Sequence, residues 1–179
     1  MKKKVWIVLF LSIYIFTMLE NALAYNLTGK KWADPKTPKY YWVSGFPSDL
    51  QTAANNAAKS WMNASSKLSL TYNNSGTVAL TSTYNSKSNL SGYTTLQTDF
   101  GGLGNTIIGA RVIINTYVTN KYNSTQKQSV LGHEFGHVWG LGDSGDLWAL
   151  MYPSDEERNY RGTYLPRSDD IAGINAIYP

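Results

Sequence analysis

His133-Glu134-Phe135-Gly136-His137-Val138-Trp139-Gly140-Leu141-Gly142-Asp143 holds both histidines of the 179-residue chain, spaced by one helical turn. Side chains at that spacing leave the same side of a helix, so both imidazoles can reach one cation, and neutral imidazole nitrogens suit zinc at about 2.0–2.1 Å. Glu134 stands beside the first histidine but is rotated round the helix, where it can reach a water in an open coordination position without displacing it. A catalytic zinc takes three protein ligands, and the chain has no third histidine. Gly140 can adopt the left-handed backbone that ends the helix and returns the chain, which puts Asp143 within reach as the third ligand. Asp146 is the reserve candidate, further out along the loop beyond Ser144 and Gly145. A carboxylate in the third place lowers the charge of the centre and should leave the water less acidic than three neutral ligands would.

Outward from this stretch, the helix is predicted to begin near Ser124 or Thr125, with Val130 and Leu131 on its apolar side, and to stop at Gly140. Upstream, Ile107 to Ile114 reads as one strand or two short ones divided by Gly109. Gly92 to Thr98 is an ambiguous short strand, and Gly101 to Gly104 a flexible connection. Leu68 to Tyr72 and Val78 to Thr81 alternate as half-buried strands around an Asn73-Asn74-Ser75-Gly76 turn and are expected to pair or adjoin. Leu50, Ala53, Ala54, Ala57, Ala58, Trp61 and Met62 recur at helical spacing from Asp49 to about Met62, with Ser48 as the expected cap. Tyr40 to Val43 reads as a strand stopped by Gly45 and Pro47. A last helix is predicted from about Ser168 to Ile177, capped by Ser168, with Asp169 and Asp170 in its first turn. This order implies an α+β domain with one twisted mixed sheet and helices packed against it.

Lys2, Lys3 and Lys4, the apolar run Val5 to Leu19 and the small residues Ala22-Leu23-Ala24 form a secretory signal, read as residues 1–24 with cleavage after Ala24. The run is short for a membrane-spanning helix, which needs roughly 20 residues, so a stable membrane anchor is not expected; an uncleaved N-terminal anchor is the alternative. Residues 25–38, broken by Pro35 and Pro38, form a lead-in segment expected on the surface, and residues 39–179 form one catalytic domain. The formal charge is +4, but three of the 16 Lys and Arg residues and one of the 12 Asp and Glu residues lie in the signal. The remainder is near balance, which excludes a nucleic-acid partner recognised through a basic patch. With no cysteine, the chain has neither thiol chemistry nor disulfides, and its stability must come from its core, with bound ions as a further candidate source.

The stretch HEFGHVWGLGD, followed by ALMYP at Ala149 to Pro153, resembles the metzincin metallopeptidases and most closely their matrixin branch. The likeness extends to Trp61 in the helix before Leu68-Ser69-Leu70, to the strand Gly109 to Ile114, and to the ending Asp169-Asp170-Ile171-Ala172-Gly173-Ile174-Asn175-Ala176-Ile177-Tyr178. The resemblance implies a zincin-like fold in which Met151 forms a hydrophobic floor under the metal. It also implies a peptide substrate lying extended beside Arg111, Val112, Ile113 and Ile114. The segment after Met151, with Tyr160 and Tyr164 as candidates, would wall the pocket for the residue beyond the cut. Asp143 stands where matrixins usually have histidine and is similar to the snapalysin group. A second, histidine-bound structural zinc is excluded, while structural calcium is allowed at no assigned position. Residues 25–38 are too few for the cysteine-bearing propeptide that commonly keeps matrixins latent.

The expectation is therefore a secreted, monomeric zinc endopeptidase with one catalytic Zn2+, acting on protein or peptide substrates. Two other classes stay open: a secreted binding module that keeps the shell without hydrolysis, and a zinc amidase acting on cell-wall peptides.

Overall fold

The computed structural model describes residues 24–179, so residues 1–23 of the expected signal lie outside the described residues. Five strands, β1 (Lys39–Trp42), β2 (Thr71–Tyr72), β3 (Val78–Thr83), β4 (Gly92–Thr98) and β5 (Ile107–Asn115), form one mixed sheet in the order β2-β1-β3-β5-β4. All neighbours run parallel except β4, which is antiparallel to β5 and forms one edge. The helices are α1 (Ser48–Ala64), α2 (Thr116–Thr119), α3 (Ser124–Val138), α4 (Asp155–Tyr160) and α5 (Ser168–Ile177), so the α+β expectation holds. No helix of the described residues is long and apolar enough to cross a membrane.

Alternation along the strands sends Val78, Leu80, Ala110, Val112 and Ile114 into one core with Leu50, Ala54, Ala57 and Trp61 of α1 and Leu131 and Phe135 of α3. Small alanines on α1 let it lie close to α3, and the Trp61 indole donates to the Gly132 carbonyl at 2.8 Å while its ring meets Trp139 at 5.5 Å. An indole that is both buried and hydrogen-bonded ties the two helices in one orientation.

Several local expectations are corrected. β2 and β3 are not neighbours: both run parallel to β1, and Tyr72 and Val78 lie on opposite sides of Tyr40. The Asn73 to Gly76 turn does form, through Gly76 N–H donating to the Asn73 carbonyl, but it carries the chain across β1 rather than folding a hairpin. Only Thr71 and Tyr72 of the expected Leu68–Tyr72 strand pair, while Leu68 and Leu70 serve the core. Ser48 does not cap α1; Pro47 precedes it with no side-chain bond. Ser168 likewise opens α5 instead of capping it, and Asp170 accepts from the Arg167 N–H at 2.7 Å. For α3 the cap is Asn123, in a reciprocal bond with Gln126. Residues 24–38 are more than a surface lead-in. Trp32 is buried in the core, and Asn26, Leu27 and Thr28 pair with the main chain of Gly140 to Gly142.

Trp61 is fully buried, so Trp61→Ala is expected to cost about 3–5 kcal/mol, read as a lower midpoint in urea unfolding.

Candidate metal centre

α3 delivers His133 and His137 from adjacent turns to one cleft, where their Nε2 atoms lie 3.2 Å apart. Asp143 Oδ1 stands 3.3 Å from the first and 3.5 Å from the second. A tetrahedral zinc with bonds of roughly 2.0–2.1 Å sets its ligands about 3.3–3.4 Å apart, so this triangle matches three corners of such a shell. The remaining ring nitrogens are committed elsewhere: His133 Nδ1 lies 3.0 Å from the Leu150 carbonyl and His137 Nδ1 2.9 Å from the Leu141 carbonyl. A carbonyl can only accept, so a neutral ring carries its hydrogen on Nδ1 and turns the Nε2 lone pair inward. Two lone pairs and a carboxylate oxygen facing one point form a donor set suited to a cation.

Protonation favours the same end. Burial, and then the neighbouring His133, hold His137 below the usual histidine range, which keeps it neutral. Asp146 is not part of the cluster; its carboxylate accepts from the Trp148 N–H at 2.9 Å.

The chain reaches Asp143 because Gly140 takes φ +95°, and a side chain there would also strike the Lys30 carbonyl. Met151, the expected floor of the site, is buried against Gly136, where an added Cβ would lie 2.1 Å from the methionine sulfur. Asp170 fixes this floor by accepting from the N–H groups of Leu150 at 2.8 Å and Met151 at 2.9 Å. Burial pushes its carboxyl up, opposed by the bonds from Arg167, Leu150 and Met151. Asp169 accepts from Ser144 Oγ at 2.6 Å and from the Ala24 and Tyr25 N–H groups, which anchors the loop next to Asp143.

Glu134 is buried and lines the same cleft as the cluster. That cleft, of about 640 Å³, runs between Leu90 to Thr94 and Leu96 on one side and Pro153 to Glu156 on the other.

A family model described as Matrixin matches residues 44–179. The chain belongs to the matrixin family. It is similar to matrix metalloproteinase-20 of Homo sapiens, 46% identical over 63 residues, covering 35% of this chain and 12% of that protein. Neutrophil collagenase of Homo sapiens is 53% identical over 49 residues, covering 27% and 10% respectively. Metalloendoproteinase 1 of Glycine max is 47% identical over 51 residues, 28% of this chain and 16% of that protein. The matched stretches therefore span less than a fifth of each of these curated relatives.

For this matrixin, the expected substrate strand beside Arg111, Val112, Ile113 and Ile114 is corrected. Those residues lie in β5, whose main chain pairs with β3 on one side and β4 on the other. Val112 and Ile114 are also fully buried. The strand with a free edge beside the cleft is β4, whose weak alternation gave little signal of its place. Tyr160 and Tyr164 are absent from the cleft lining, which instead includes Tyr122. The Tyr122 hydroxyl donates to Asp155, and burial first and Asp155 second push it to about 12. Arg158 also escaped sequence reasoning: fully buried, it is paired with Asp155 and bonded to the Tyr152 carbonyl and Ser129 Oγ.

Removing the Asp170 clamp frees the carbonyl that aims His133. Asp170→Ala is expected to weaken metal binding roughly 10–100-fold, while Asp146→Ala leaves it near wild type, both measured by competition with a chelating dye.

Proposed function

We propose that this matrixin is a secreted zinc-dependent endopeptidase in which His133, His137 and Asp143 hold one catalytic zinc and Glu134 is the general base. The reading is carried by one observation: a buried carboxylate opens into the same cleft as a three-donor cluster of tetrahedral dimensions. A bound zinc would supply Lewis acidity, easing the deprotonation of water and polarising the scissile carbonyl. The chain's own residues do the rest. Glu134 takes a proton from water as the water oxygen bonds to the carbonyl carbon. It holds that proton inside the protein and passes it to the amine nitrogen as the carbon–nitrogen bond breaks. Both products then leave with their protons in balance.

The substrate, a protein or peptide, would lie extended along the free edge of β4, adding main-chain hydrogen bonds as a further strand. Pro153 to Glu156 would face the residues beyond the cut, and Met151 would serve as the floor. Residues 1–24 would direct secretion and be removed after Ala24, with 25–38 bracing the catalytic domain of residues 39–179. The protein would act as a monomer, with no nucleic-acid partner and no stable membrane anchor. One zinc accounts for the donors, and no position is assigned to calcium.

The purified protein is expected to carry one zinc per chain and to cleave casein or gelatin. Chelation should abolish cleavage and added zinc restore it. Glu134→Gln should retain the metal yet lose about 10²–10⁴-fold in kcat, whereas Asp143→Ala should lose the metal itself. A folded, zinc-loaded protein that cuts neither substrate nor a broad peptide library would overturn the reading.

A further inference from the structure

Glu134 has a partner on the edge strand that motif spacing does not reveal. Thr94, half-buried in β4, places Oγ1 2.7 Å from Glu134 Oε2 and 3.1 Å from the main-chain carbonyl of the same residue. The hydroxyl has one hydrogen, and the shorter contact to a carboxylate is the charge-assisted one, so the hydrogen is given to Oε2. Oε1 has no protein donor among the described residues. Gly92, two residues earlier and so on the same face of β4, lies by that second oxygen, where an added Cβ would come within 3.4 Å of Oε1. One residue of the strand thus grips the carboxylate, and another leaves space beside its free oxygen.

The geometry points to Thr94 as the positioning residue of the base, an assignment that rests on the endopeptidase reading above. A glutamate has three rotatable bonds, and a carboxylate free to turn would spend much of its time misaligned with the water it must deprotonate. Thr94 fixes Oε2 and presents Oε1 to the cleft. Because Thr94 belongs to the edge strand on which the substrate is expected to lie, the same element sets the height of both the base and the peptide. Thr94 itself touches neither metal nor water in this assignment; it acts through Glu134.

The test compares Thr94→Val, which keeps the shape and removes the hydroxyl, with Thr94→Ser, which restores it. With a peptide that the wild-type protein cleaves, Thr94→Val is expected to lower kcat roughly tenfold at unchanged KM and unchanged zinc content. Thr94→Ser should recover most of that loss. A second measurement needs neither metal nor activity: in the metal-free protein, the thermal destabilisation by Thr94→Val and by Glu134→Ala should fail to add in the double variant, because both break one contact. If the wild type cleaves and Thr94→Val matches its kcat, or if Thr94→Ser is as impaired as Thr94→Val, the assignment is overturned. A loss that appears in KM or zinc content instead of kcat overturns it as well. Should the wild-type protein cleave nothing, the endopeptidase reading fails, and strict additivity in the metal-free cycle would separately remove the contact.

Discussion

Two imidazole N–H groups held on main-chain carbonyls are the constraint on which the site depends. Leu150 takes the hydrogen of His133, and Leu141 that of His137, so both Nε2 lone pairs are aimed before any ion arrives. Each carbonyl needs its own support. Leu150 lies in the Ala149 to Met151 turn, which Asp170 grips through two N–H bonds. Leu141 follows the left-handed Gly140 and is held by the bridge to Leu27. A ring whose orientation is fixed in this way loses little freedom on meeting a cation, which strengthens binding without an additional contact.

The acidic pair at the start of α5 divides the work. Asp170 takes the Leu150 and Met151 amides, while Asp169 takes Ser144 and the Ala24 and Tyr25 amides. Both carboxylates are buried, and both accept several hydrogen bonds, as a buried charge requires. The C-terminal helix thus fixes both sides of the loop that presents Asp143. This explains why the segment Asp169 to Tyr178 belongs to the site, although none of its residues faces the cleft.

Much of the site was legible in the sequence because its logic is local. The one-turn spacing of His133 and His137 and the glycine that reverses the chain toward Asp143 depend on short-range geometry, and the structure brings these residues together. The long helices were legible for the same reason, since α1 and α3 repeat their apolar residues at helical spacing. Sheet order was not. β2 and β3 alternate as any half-buried strand does, and nothing in that alternation says that β1 will come between them. β5 is rich in Val and Ile because it is central, with Val112 and Ile114 in the core; the substrate's place beside Arg111 to Ile114 was implied by the family likeness, which does not say which strand of this sheet lies at its edge. An edge strand reads more weakly, since β4 alternates exposed and half-buried residues and its polar Thr94 resembles a surface residue.

Arg158 shows the other kind of contact that sequence reasoning misses. Its guanidinium is 1% exposed, and burial lowers its pKa, while Asp155 foremost, and then Glu134 and Asp143, favour its charge. An arginine so placed keeps its charge. With a carboxylate as third donor, a divalent ion held by the cluster would leave a net charge of about +1 on the centre rather than the +2 that three imidazoles would leave. The cleft also carries Asp155 and Glu156 among its lining and no lysine or arginine. A buried cation behind an acidic wall, with one arm on Asp155, offsets part of that negative charge without occupying the space a substrate needs. Asp143 of the three-donor cluster and Arg158 on α4 are therefore parts of one electrostatic arrangement, although separated in sequence.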